Sequence, residues 1–131
     1  MASNQITFIG TVHSQLNQLQ HCPRQETENA PEATIEIFSE FIEGIQNLKP
    51  GDEIILFTWL HLADRAVLKT IPRNDNNLPL TGVFSTRSPD RPNPKGIHAI
   101  TITSIVSGNM LKVSNLEVLD GTPIIDIKPQ F

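Results

Sequence analysis

IHAITITSIVSGNMLKVSNLEV, residues Ile97 to Val118, is the stretch that decides the fold. Ile100, Thr101, Ile102 and Thr103 alternate apolar and polar with a period of two, the pattern of a strand with one buried face. Gly108-Asn109 is a hairpin signal, and Leu111 and Val113 carry the alternation back along a second strand. The apolar phase then shifts at Leu116 and Val118, which predicts a bulge near Asn115.

The same reading extends outward. Asp120-Gly121 predicts a turn, and PIIDIK, Pro123 to Lys128, a last strand. Upstream, Leu80 to Ser85 and Arg65 to Ile71 read as short strands, with a turn at Asn74 to Asn77. EIILFTWL, Glu53 to Leu60, is a near-continuous apolar run that fits a strand buried on both faces. A buried helix shares that periodicity, and length and β-branched content favour the strand. Phe38, Phe41, Ile42 and Ile45 have the spacing of an amphipathic helix. Ser39 would be its N-cap, Glu40 and Glu43 suit its first turn, Lys49 its end, and Pro50-Gly51 its stop. Ala33 to Ile37 and Gln5 to Val12 read as strands, and the Gln-rich Ser14 to Glu32 as a long loop. About six or seven short strands with one short helix predict a mainly β protein, a small closed or partly open barrel or a sandwich. With no repeat and no linker, residues 1–131 are expected to form a single domain.

A chain of 131 residues is long enough for one hydrophobic core. No leader pattern is visible, and the longest apolar stretch, Ile54 to Leu60, is far short of a membrane span. The single cysteine, Cys22, cannot form an internal disulfide, so a reducing, cytoplasmic setting is expected. No His/Cys cluster has metal-ligand spacing, and no metal is expected. The net charge of −4 argues against a nucleic-acid binder that relies on bulk electrostatics, yet leaves room for a local basic face. Arg24, Arg65, Lys69, Arg73, Arg87, Arg91 and Lys95 all fall between residues 24 and 95, while most carboxylates lie at Glu26 to Glu53 and Glu117 to Asp126.

Two segments carry chemical signal. In GVFSTRSPDRPNPKG, Gly82 to Gly96, Pro89, Pro92 and Pro94 fix backbone angles around Arg87 and Arg91. A stiff loop that holds cations and Asn93 in place suits a polar, oriented ligand. In LDGTPIIDIK, Leu119 to Lys128, a turn is followed by Asp126 and Lys128 on one strand face. On residues alone, that segment is a plain turn with a surface ion pair or a site. His98, directly after the loop, reads as a surface residue.

These segments resemble the two signatures of the TsaA-like, or TrmO, family, GVFATRSPxRPNPIG and LDGTPxxDIKPY. FIGTVHS, CPRQ and the strand end TWLH are similar to three further family features, in matching order over nearly the whole chain. The resemblance implies an S-adenosylmethionine-dependent methyltransferase on a small β-barrel, outside the Gly-rich doubly wound class. It implies methylation of N6 of threonylcarbamoyl-adenosine next to the anticodon of threonine tRNA, by a homodimer with the cofactor near the interface. Cofactor-binding positions carried over are Pro23, Arg24, Gln25, His61, Arg87, Ile97, Leu119, Asp120, Gly121 and Thr122. Arg91, Lys95 and Lys128 are candidates for the RNA substrate, and His61 and Asp126 are alternative catalytic bases. Asp120 and Trp59 are candidates to face the sulfonium, and Arg87 a carboxylate. Lys95 replaces the usual Ile or Leu, and Gln130 replaces a usual Tyr in a chain with no tyrosine. A methyltransferase with another substrate and a non-catalytic S-adenosylmethionine-binding module are the alternatives. The arginine loop and the Asp-Gly bend are expected to meet in one cleft.

Overall fold

The computed structural model describes residues 4–15, 32–72 and 75–130. Its strands are β1 (Gly10–His13), β2 (Ala33–Ile37), β3 (Glu53–Trp59), β4 (Lys69–Thr70), β5 (Thr81–Gly82), β6 (Lys95–Ser107), β7 (Met110–Ser114) and β8 (Pro123–Pro129). Six of them close an antiparallel barrel in the ring order β1-β2-β7-β6-β3-β8, while β4 and β5 form a separate ribbon. The alternating positions read from the sequence point inward: Ile100 and Ile102, Leu111 and Val113, and Ile35 and Ile37 are all essentially inaccessible to solvent.

Several elements differ from expectation for physical reasons. The first strand starts at Gly10, and Gln5 to Phe8 are exposed. The helix is a 3-10 helix, Ser39–Ile45, whose N-cap is Phe38 with no side-chain capping bond. Three residues per turn put Ile42 and Ile45 on one edge, and Phe41 and Ile45 pack on the core. β3 is not buried on both faces: Ile54, Leu56 and Thr58 are buried, whereas Ile55, Phe57 and Trp59 line a half-exposed outer face. Arg65 to Ile71 contributes only β4, and Leu80 to Ser85 only β5 and a 3-10 turn, Val83–Ser85. No bulge forms at Asn115. β7 ends at Ser114, and Asn115 takes a left-handed φ of 60° that re-aims Leu116 and Val118 into the core. His98 is not at the surface: it is buried, with Nε2 2.8 Å from the Thr58 hydroxyl.

Because neighbouring strands run antiparallel, the ends of β1, β3 and β7 and the starts of β2, β6 and β8 share one rim. The Pro/Arg loop enters β6 and the Leu119–Thr122 turn enters β8, and β6 and β8 are the two neighbours of β3. Both sequence signatures therefore stand at one end of the barrel.

The opposite end has a turn at Pro50-Gly51, where Gly51 adopts φ 93°. Here the Lys49 backbone N–H donates to Asp52 Oδ2 at 3.1 Å, and Lys49 Nζ lies 3.2 Å from Oδ1. The backbone bond first, and the ammonium second, hold the Asp52 carboxyl below its ordinary range. Its stabilising effect is complete above the ordinary carboxylate range and is lost as pH falls through the lowered value. Urea unfolding from neutral to acid pH is expected to show a shallower acid decline for Asp52→Asn than for wild type. Identical acid limbs would show that this carboxylate does not couple to folding.

Candidate functional site

The Pro/Arg loop is built around Arg91. Its Nε donates to the Ser88 carbonyl at 2.8 Å, and its Nη2 donates to the carbonyls of Val83 and Thr86. A half-buried guanidinium thus ties three loop carbonyls together, so Nε and Nη2 of Arg91 serve the loop's own backbone. Thr86 Oγ1 also donates to the Val83 carbonyl, and Ser88 N–H donates to Thr86 Oγ1. A second clamp was not anticipated from the sequence. Arg65 donates to the Pro92 carbonyl at 2.7 Å and to Asn93 Oδ1 at 3.3 Å, with its guanidinium 5.1 Å from the Trp59 ring centre. One face of Trp59 is therefore already covered by a cation. Arg87 stays exposed, with a 3.3 Å bond from Nη2 to the Ile97 carbonyl. Lys95, opposite Trp59, and His61, just past β3, are also exposed on this rim.

The Leu119–Thr122 turn is equally fixed. Leu119 O accepts both Thr122 N–H and Thr122 Oγ1, the latter at 2.7 Å. Gly121 has φ 83°, and its N–H donates to Val12 O at 2.8 Å. Asp120 Oδ1 accepts the Ser14 N–H at 3.0 Å, which seats the turn on the end of β1. Leu119 and Thr122 are buried, and Asp120 and Gly121 are exposed. Beside Asp120 lies a cleft of about 400 Å³ lined by His13, Ser14, Gln15, Glu32, Ala33, Thr34 and Lys112. His13 Nε2 meets Glu36 Oε1 at 2.7 Å, and Lys112 Nζ is 3.9 Å from Glu32. The walls thus carry both carboxylates and cations.

Among the described residues, the cleft beside Asp120 is not lined by the arginine loop and so does not join the two segments. The arginine loop and the turn share the rim on either side of β3, but the cleft opens on the far flank of the turn, between β1 and β2. Asp126 sits on the outer wall opposite Phe57, and Lys128 opposite Ile55; no ion pair joins these two described residues. Asp126 Oδ1 instead accepts the Ile127 N–H. Pro23, Arg24 and Gln25 lie outside the described residues, as does Cys22. Gln15 and Glu32, which flank that segment, both line the cleft.

A profile of the tRNA-methyltransferase O N-terminal domain matches residues 11–131. The chain belongs to the tRNA-methyltransferase O N-terminal domain family. It is 38% identical over 123 residues to a probable S-adenosyl-L-methionine-binding protein of Methanothermobacter thermautotrophicus, covering 94% of this chain and 87% of that one. It is 38% identical over 120 residues to an S-adenosyl-L-methionine-binding protein of Archaeoglobus fulgidus, covering 92% and 84%. The crystal structure of TrmO from Pseudomonas aeruginosa superposes with a TM-score of 0.76 at 26% identity, over 99% of this chain and 57% of that one. The chain thus spans little more than half of the TrmO polypeptide it resembles.

Within this TrmO N-terminal domain, the departures from the family signatures sit in different places. Lys95 is on the rim. Gln130 is at the other end, where its Nε2 donates to the carbonyls of Ile54 at 2.9 Å and Ile100 at 3.4 Å. The exchange of Tyr for Gln therefore alters the far closure of the barrel and not the rim that carries both signatures.

Proposed function

We propose that this protein is an S-adenosylmethionine-dependent methyltransferase that acts on N6 of threonylcarbamoyl-adenosine beside the anticodon of threonine tRNA. The observation that carries this reading is the convergence of both signatures on one barrel rim around β3. The cleft beside Asp120 suits the cofactor. Its 400 Å³ lies within the usual range for small-molecule sites, and its mixed walls match a ligand bearing ammonium, carboxylate and sulfonium groups. When bound, that cofactor supplies an activated methyl group with its own leaving group. The protein's task is then alignment and exclusion of water.

Asp120 and Glu32 supply negative charge toward the cationic groups, and Lys112 supplies a cation toward the carboxylate. The exposed Asp120-Gly121 backbone is available to an adenine edge. Arg24 and its neighbours Pro23 and Gln25 belong to the segment whose ends frame the cleft. Arg87 and Lys95 face outward for a carboxylate or phosphate. His61 is the better-placed base of the two candidates, since it stands on the rim while Asp126 lies down the outer wall.

The substrate reading draws support from charge. Between Leu60 and Ile97 the sequence holds six cations and three carboxylates, in a chain whose net charge is −4. A homodimer is supported by the half-exposed outer face of β3, where Ile55 and Phe57 lie beside Ile97, itself 45% exposed. Gln130 is remote from the rim, so the missing Tyr does not favour the non-catalytic reading; that reading rests instead on the relatives, which are named as S-adenosyl-L-methionine-binding proteins.

Calorimetry with S-adenosylmethionine, followed by incubation with threonylcarbamoyl-modified threonine tRNA and nucleoside mass spectrometry, tests the proposal. Binding and a gain of one methyl group on the modified nucleoside are expected. Cofactor binding without methyl transfer would leave only a binding module, and no binding at millimolar cofactor would remove both. Arg87→Ala is expected to weaken cofactor or substrate binding about 10- to 100-fold with unchanged thermal unfolding. Wild-type activity in that variant would take Arg87 out of the site.

A further inference from the structure

We propose that Phe84 is a stacking platform for an unpaired base of the RNA substrate, an inference that rests on the rim being an RNA-modifying site. At 77% exposure Phe84 is the most accessible large apolar residue among those described. Nothing in the barrel is filled by its ring, so packing does not account for it.

The backbone beneath the ring is held on every side. Val83 is buried, and its N–H donates to Leu68 O at 2.9 Å. Its carbonyl accepts from Thr86 N–H, Thr86 Oγ1 and the Arg91 guanidinium. An aromatic ring carried on so rigid a turn loses little freedom when a flat partner lies on it. Next to it in sequence are Ser85, Thr86, Arg87 and Ser88, with Arg87 exposed, and Leu68 and Leu80, which flank the strands of the β4–β5 ribbon, are exposed as well. A ring with an exposed guanidinium three residues along the same fixed turn pairs a flat apolar face with a cation. It matches single-stranded RNA, in which a base offers its face while the adjoining phosphate meets a cation. A paired base is already stacked on both faces and has nothing to offer.

The test compares wild type, Phe84→Ala and Phe84→Trp, each shown by thermal unfolding to be folded. The probes are the isolated, threonylcarbamoyl-modified anticodon stem-loop of threonine tRNA and a fully paired RNA duplex of equal length, with binding read by fluorescence anisotropy and assembly by sedimentation. Phe84→Ala is expected to lose roughly 5- to 100-fold in stem-loop affinity and to bind the duplex as wild type does. Phe84→Trp is expected to keep stem-loop binding. Unchanged stem-loop affinity in Phe84→Ala, or equal losses on both RNAs, overturns the proposal. So does dissociation into monomers, which would assign the ring to a contact between copies. If wild type itself ignores the stem-loop, the RNA reading of the rim falls, and this inference with it.

Discussion

Arg91→Ala is expected to lower the proposed methyl transfer about 100-fold while the barrel unfolds almost as before, because a displacement of about 1 Å at a reacting centre is enough for such a loss. One half-buried guanidinium holds the carbonyls of Ser88, Val83 and Thr86. Removing it frees the loop that presents Arg87 and Phe84, yet touches no side chain of the barrel core. The loss is therefore local and leaves global stability largely intact. Arg91→Lys is expected to rescue little, since a single ammonium cannot reproduce the planar fork that reaches three carbonyls. The measurements are kcat/KM on modified tRNA, thermal unfolding, and the rate at which protease cuts the loop. Activity within threefold of wild type, with no faster cleavage, would show that the loop holds its shape without Arg91.

The role of Arg91 illustrates what the sequence makes legible. Its place in a Pro-rich segment marks the loop as stiff, but chain order does not reveal whether a cation faces ligand or backbone. Only the fold brings Val83 within reach of a residue eight positions later. Arg65 was still harder to see, because its partners Pro92, Asn93 and Trp59 meet it through a loop crossing and a barrel pairing. The cleft has the same character: Asp120, His13, Glu32 and Lys112 come from four separate elements.

The barrel itself was readable where a period of two survives and is tied to burial, as at Ile100 to Thr103 and Leu111 to Val113. The errors lie where periodicity is silent. Ile54 to Leu60 looks doubly buried because a small barrel can leave large apolar side chains on its outer wall as well as inside. Asn115 shows a phase shift that one left-handed residue explains as well as a bulge does. His98 follows a polar loop in sequence, but β6 turns it inward against Thr58, a contact that no local pattern announces.

Gly10→Ala is expected to have the largest effect on stability, about 3 kcal/mol or more, at the upper end of overpacking costs. A Cβ at this position would stand 2.1 Å from the Glu36 carbonyl oxygen and 3.2 Å from Ile37 Cα. Both are backbone atoms of the strand paired with β1, so no side-chain rotation relieves the clash and the β1–β2 seam must open. Because β1 also carries Val12 and leads into Ser14, which anchor Gly121 and Asp120, the same change is expected to loosen the turn beside the cleft. Gly108→Ala is the control: nothing lies within 4 Å of its added Cβ, and a change of no more than about 1 kcal/mol is expected. Urea midpoints for the two variants decide the matter. A Gly10→Ala protein as stable as the control would mean that β1 does not lie against β2 in this register, and the rim that depends on that seam would have to be redrawn.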